Sequence, residues 1–167
     1  MGSIFLVGFM ACGKTTVGPL LAARLELPFT DLDHLIESRN LSTIAEIIGR
    51  DGEESFRQLE TATLREVIDD RPGVIAPGGG AITRAENRLL MATAGLVVWL
   101  DAPFELCWER IREDRVVRPL ASDVEAARAR YEARLPLYQT ATLQIPVTAG
   151  MAPAEIVAQI LAAEVSR

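Results

Sequence analysis

The stretch Gly8-Phe9-Met10-Ala11-Cys12-Gly13-Lys14-Thr15 sets two glycines, an ammonium and a hydroxyl at the spacing G-x-x-x-x-G-K-[ST]. In such a loop, backbone N–H groups can surround phosphate oxygens, the lysine reaches the outer phosphates as a compact point charge, and the Thr15 hydroxyl can face a magnesium ion. Of the 17 basic side chains, Lys14 is the only lysine and the rest are arginines. The one ammonium in the chain therefore falls where a phosphate loop needs an ammonium rather than a planar guanidinium fork.

Further groups that could act on a phosphorylated ligand recur downstream. In Asp31-Leu32-Asp33, alternate residues of an extended chain point the same way, so both carboxylates can face one site. One could hold the water ligands of magnesium while the other accepts or orients a hydroxyl proton; helix capping ahead of residues 34–39 is the competing reading. Gly78, Gly79 and Gly80 follow an apolar run and would let backbone approach a ligand closely, or else form a plain flexible turn. Arg57 and Arg134 could each clamp a carboxylate with two parallel hydrogen bonds, although a single arginine is more often a solvated charge. Arg110, Arg112, Arg115 and Arg118 stand against only Glu113 and Asp114, which suits a segment closing over phosphates as well as a solvated helix face. Asp101 reads as a helix cap before Pro103, Cys12 as a small loop residue, and His34, the only histidine, is given no role.

These groups need a frame. Ser3 to Val7 reads as a short buried strand, and Val17, Leu20, Leu21 and Leu25 recur at helical spacing after Lys14, so the glycine loop joins a strand to a helix start. Apolar runs at 28–30, 73–76, 96–100 and 143–147, separated by helical periodicity, predict a parallel sheet covered on both faces, with ligands at the carboxyl ends of the strands. Thr43-x-x-Glu46 and Ser122-x-x-Glu125 read as capping boxes, Pro153 precedes a last helix at 154–165, and Pro19 should kink the first helix.

With 167 residues and 49% hydrophobic content, the chain suffices for one core and not for two ordinary domains. A formal charge of -6 argues against an extended nucleic-acid or anionic-membrane surface, which requires clustered cations. Two cysteines without metal-ligand spacing, no signal peptide and no apolar run of bilayer length predict a protein of the cytoplasm with small-molecule partners.

The ordered set Gly8 to Gly18, Asp31-x-Asp33, Gly52-Glu53-x-x-Phe56-Arg57, Gly78-Gly79-Gly80, Arg118-Pro119-Leu120 and Arg134-x-Pro136-Leu137-Tyr138 resembles the shikimate kinase family over nearly the whole chain. That resemblance implies a single-domain, three-layer α/β phosphate-loop kinase fold: a five-stranded parallel sheet of order 2-3-1-4-5, helices on both faces, a substrate-binding helical segment at about 32–60 and a mobile lid at about 110–122. It implies a monomer that transfers the γ-phosphoryl group of MgATP to the 3-hydroxyl of shikimate, on the route to aromatic amino acids, with another small-molecule kinase such as a gluconate kinase, or a silent ATP-binding module, as the alternatives.

Carried across by residue, the resemblance assigns Gly8, Ala11, Cys12, Gly13, Lys14, Thr15 and Thr16 to the nucleotide phosphates, and Thr15 with Asp31 to magnesium. Asp33 goes to the acceptor hydroxyl, Arg57, Arg134, Gly78, Gly79 and Gly80 to shikimate, and Arg118 to the transferring phosphoryl group. Arg110 and Pro153 flank the adenine, with Arg112 as the competing choice. Cys12, Pro77 and Ala121 depart from the usual residues without displacing a group of proposed chemical role.

Overall fold

The computed structural model describes residues 2–113 and 124–165. Arg118, the Arg118-Pro119-Leu120 motif, Ala121 and the Ser122 cap lie outside those residues, and so does most of the expected lid.

Strand β1 (Ser3–Val7) is buried at every position, which is why Ser-Ile-Phe-Leu-Val runs almost continuously apolar instead of alternating. It occupies the centre of a parallel sheet between β3 (Val74–Ala76) and β4 (Gly95–Asp101), with β2 (Phe29–Asp31) beyond β3 and β5 (Leu143–Pro146) beyond β4. The order β2-β3-β1-β4-β5 is the one the resemblance implies. Because the strand order reverses on the two sides of β1, the connections leaving β1 and β3 diverge at the carboxyl ends and open a crevice there. Ile4 lies opposite both Val74 and Leu96, and Asp31 opposite Ala76, so β2 and β3 end level with one another beside that crevice.

Helices α1 (Lys14–Leu25), α2 (Leu32–Asn40), α3 (Ile44–Asp51), α4 (Glu53–Asp70), α5 (Ala85–Ala94), α6 (Phe104–Glu113), α7 (Val124–Tyr138) and α8 (Pro153–Val165) flank the sheet. Phe5, Leu6, Leu21, Leu32, Ile36, Leu64, Val98, Leu100 and Ile160 are all fully buried between these layers, each contributing about 1.5–3 kcal/mol through removal from water. Tyr131 packs edge-on against Phe9 at 5.2 Å and Phe104 at 5.6 Å and donates to the Ala102 carbonyl, which ties α6 and α7 to the end of β1. Among the described residues, no helix is long and apolar enough to cross a membrane.

Several local expectations shift. Residue 28 stays outside β2, which starts at Phe29 and runs to Asp31, although the Pro28 carbonyl still accepts from the Val74 amide at 2.9 Å. Thr43 and Glu46 form the expected capping box of α3. Pro19 sits inside α1, which remains one helix from Lys14 to Leu25 despite the N–H that proline cannot offer the Thr15 carbonyl. Asp101 does not cap a helix; it ends β4, and its carboxylate accepts from the Gln144 amide on β5 at 2.7 Å, a bond available because the two strands pair side by side.

Candidate active site

The loop between β1 and α1 turns on two left-handed residues, Ala11 at φ 61° and Gly13 at φ 118°. Such a conformation costs an alanine about 1–2 kcal/mol, and Arg110 supports it from α6 by donating to the Ala11 carbonyl at 3.0 Å. The Gly13 carbonyl accepts from Thr16 and Val17, starting α1, whose N-terminal dipole end faces the loop. The Lys14 ammonium is buried and donates to the Gly8 and Phe9 carbonyls at 2.9 and 3.0 Å, with the Cys12 sulfur at 3.6 Å. Gly8 thus acts on the lysine, whereas Ala11, Cys12, Gly13, Lys14, Thr15 and Thr16 line a cavity of about 1030 Å³.

Gly18 determines how closely β2 approaches this loop. A Cβ there would collide with the Phe29 ring, so the bare glycine lets α1 and the start of β2 touch. At the other end of β2, Asp31 divides its two oxygens: Oδ1 accepts from the His34 amide and caps α2, while Oδ2 accepts from the Thr15 hydroxyl at 3.4 Å. The magnesium and capping readings of Asp31 are therefore compatible. Hydroxyl and carboxylate oxygens side by side are hard donors, and magnesium bound with a nucleotide typically takes one or two such protein oxygens, filling its remaining positions with water and phosphate. These two residues fit that ion.

Asp33 reaches the same cavity by a different route from the one the spacing suggested. The strand ends at Asp31, and Asp33 stands in the first turn of α2, so the two carboxylates converge across a strand–helix junction and not along one extended strand. Burial, followed by the nearby Asp31 charge, raises the Asp33 carboxyl above its ordinary value, with Lys14 and Arg57 opposing. A carboxylate held this way binds a proton more readily than a solvated one, which is what a group accepting a hydroxyl proton requires.

The three glycines each face one charged side chain. A Cβ on Gly78 would lie 2.6 Å from the Asp33 carboxylate, one on Gly79 3.5 Å from Arg134, and one on Gly80 would overlap the Arg57 guanidinium. All six residues line the cavity. Arg57 is braced by Glu60 at 3.0 Å and lies over the Phe56 ring at 5.1 Å. Burial lowers the proton affinity of Arg134, the neighbouring cations Arg130 and Arg57 add to this, and the Tyr138 hydroxyl supports its charge. A desolvated guanidinium among cations gains from an incoming carboxylate more than a solvated one would.

Of the adenine candidates, Arg110 and Pro153 line the cavity, whereas Arg112 is exposed and does not. Two contributors escape the sequence reading. Glu60 stands one turn after Arg57 on α4, a spacing that signals a helical ion pair, and Tyr138 stands one turn after Arg134 on α7, inside the quoted motif.

The family model described as shikimate kinase matches residues 10–164. The shikimate kinase of Nostoc punctiforme is 41% identical over 162 residues, spanning 95% of this chain and 88% of its own, and that of Geobacter sulfurreducens is 44% identical over 161 residues with the same coverage. The solved structure of Acinetobacter baumannii shikimate kinase in complex with shikimate superposes with a TM-score of 0.92 at 39% identity, covering 99% of this chain and 94% of that one. Sequence, fold and cavity lead to one assignment: this chain belongs to the shikimate kinase family.

Proposed function

We infer that the chain is an ATP-dependent kinase that transfers the γ-phosphoryl group of ATP to the 3-hydroxyl of shikimate, giving shikimate 3-phosphate and ADP. The observation that carries this reading is the meeting of Asp33, Arg57 and Arg134 on three successive glycines, in one cavity with Lys14, Thr15 and Asp31. Two arginines and one carboxylate suit an acceptor that has both an acid group and a hydroxyl.

On this reading, the loop amides of Ala11, Cys12 and Gly13 and the Lys14 ammonium hold the β- and γ-phosphates, Thr16 lies beside them, and Arg110 and Pro153 flank the adenine. Thr15 and Asp31 would hold magnesium, which when bound neutralises charge on the phosphate oxygens. Arg57 and Arg134 take the shikimate carboxylate against Gly78, Gly79 and Gly80, leaving a ring hydroxyl at Asp33. Asp33 orients that hydroxyl and accepts its proton as the new oxygen–phosphorus bond forms and the bond to the ADP oxygen breaks. Lys14 stabilises charge spreading over the transferring group, and Arg118, by its match to the family's lid arginine, completes that set. The unit works as one domain with residues 32–60 on the acceptor side, as a monomer in the cytoplasm.

ADP release measured in parallel with shikimate, with gluconate and with no acceptor tests the assignment. Turnover that depends on shikimate supports it. Equal or faster turnover with gluconate would keep the kinase and replace the acceptor, and ADP release indifferent to both would leave an ATPase or a nucleotide-binding module.

A further inference from the structure

Tyr138 ends α7 and is 1% exposed. Its ring stacks on Trp99 of β4 at 6.0 Å and 20°, and its hydroxyl donates to the Gly79 carbonyl at 3.1 Å while interacting with the Arg134 guanidinium. The tyrosine is not among the residues that line the cavity, whereas both of its partners are.

The surroundings give this hydroxyl a specific task. Gly78-Gly79-Gly80 is a backbone with no side chain of its own to settle its orientation, and it faces three charged groups. The Gly80 carbonyl is held by the Thr83 amide at 3.0 Å and the Thr83 hydroxyl at 2.7 Å; the Gly79 carbonyl is held by Tyr138. In a trans peptide the carbonyl and the next N–H point opposite ways, so fixing the Gly79 carbonyl toward α7 turns the Gly80 N–H away from it. On the helix side, Pro136 has no N–H for the Glu132 carbonyl, which removes a hydrogen bond from the last turn of α7, the turn that carries Arg134 to Tyr138. The contact to Gly79 spans 59 residues of sequence and holds that weakened turn against the glycines. Burial raises the phenol's proton affinity, so it remains a donor throughout the neutral range.

We propose that Tyr138 is a positioning residue for the acidic substrate: one hydroxyl holds the Gly79 peptide and the Arg134 guanidinium in register, so that the carboxylate meets both already aligned. The proposal rests on the reading that Gly79 and Arg134 hold shikimate.

Tyr138→Phe keeps the ring on Trp99 and removes only the hydroxyl. Steady-state kinetics varying each substrate should give a shikimate KM raised roughly five- to thirty-fold, as expected for a buried carbonyl deprived of its donor, with kcat and the ATP KM within about two-fold of wild type. Melting by circular dichroism verifies folding, and calorimetric titration of the folded protein with shikimate repeats the affinity without turnover. An unchanged shikimate KM overturns the proposal, as does a rise shared equally by both substrates, which is the mark of a merely structural role. Arg134→Gln separates this outcome from failure of the site itself: if it leaves the shikimate KM unchanged, the underlying reading is wrong, and if it raises that KM while Tyr138→Phe does not, only the positioning role is wrong. In the double variant the two effects should fall short of multiplying, because the tyrosine acts partly through the arginine. Full multiplication would overturn the coupling.

Discussion

The Glu60 carboxylate, 1% exposed, lies 3.0 Å from the Arg57 guanidinium one helical turn earlier on α4. Burial pushes the Glu60 carboxyl up to about 7, Arg57 and Arg134 pull it down, and Asp33 adds to the rise. A buried ion pair of this kind contributes less to stability than to geometry, because desolvation offsets most of the Coulombic gain. What it supplies here is a fixed direction for Arg57, whose other side is closed off by Gly80.

A stability profile follows from the same carboxyl. Its folded-state value exceeds the unfolded one of 4.5, so the native protein binds this proton more tightly than the unfolded chain does. The associated stabilisation is fully present below pH 4.5 and is lost as the pH rises to about 7. Urea unfolding of wild type and Glu60→Gln at several pH values should show wild type losing on the order of 1–3 kcal/mol relative to the glutamine variant across that window. A difference independent of pH would mean that Glu60 titrates in the fold as it does in the unfolded chain.

Lys14→Met should reduce phosphoryl transfer to below about a thousandth of wild type, because a pre-aligned charge on the transferring group is removed. The fold should survive. The ammonium's two carbonyl partners lose one donor, which costs about 1–3 kcal/mol in melting experiments. Turnover within ten-fold of wild type would take Lys14 out of the chemistry.

Asp33→Asn preserves shape and hydrogen bonding while removing the proton acceptor. The expected result is a kcat lower by about 10²–10⁴-fold with the ATP KM nearly unchanged, since the proposed role sets Asp33 at the acceptor rather than at the nucleotide. If the asparagine enzyme turns over at close to the wild-type rate, the acceptor hydroxyl is activated by some other group.

Gly78→Ala puts a methyl group 2.6 Å from the Asp33 carboxylate at a φ of +83°, so it strains the backbone and displaces that carboxylate together. We expect a loss of about 1–2 kcal/mol in stability and a fall in kcat. Gly49→Ala is the control: it is an exposed residue of α3 with nothing within 4 Å of the added methyl, and should stabilise by about 0.5–1 kcal/mol with activity intact. Equal activity in both variants would show that Asp33 tolerates displacement.

The sequence is most legible where one motif dictates a junction. β1 and α1 begin and end where the glycine loop and the apolar spacing predict, because a strand, a tight anion loop and a helix start leave little freedom between Val7 and Lys14. Three-residue β2 is less legible, since its placement depends on pairing with β3 and on contact of Gly18 with Phe29, both tertiary facts. The spacing of Asp31 and Asp33 predicts their convergence along one strand, whereas a helix begins between them and brings them together across a junction. Asp101 illustrates the same limit: its partner Gln144 becomes a neighbour only when β4 and β5 pair. Tyr138 was visible as a motif letter, but its task depends on a glycine 59 residues away, which no local pattern encodes.

On the proposed function, one cavity holds the nucleotide phosphates on Lys14 and the loop amides, and the acid group of shikimate on Arg57 and Arg134. A crystal structure of the chain with MgADP and shikimate decides this arrangement. The shikimate carboxylate should pair with both arginines against Gly79 and Gly80, with a ring hydroxyl within hydrogen-bonding distance of Asp33. Shikimate bound with its carboxylate away from both arginines, or with no hydroxyl near Asp33, would contradict it.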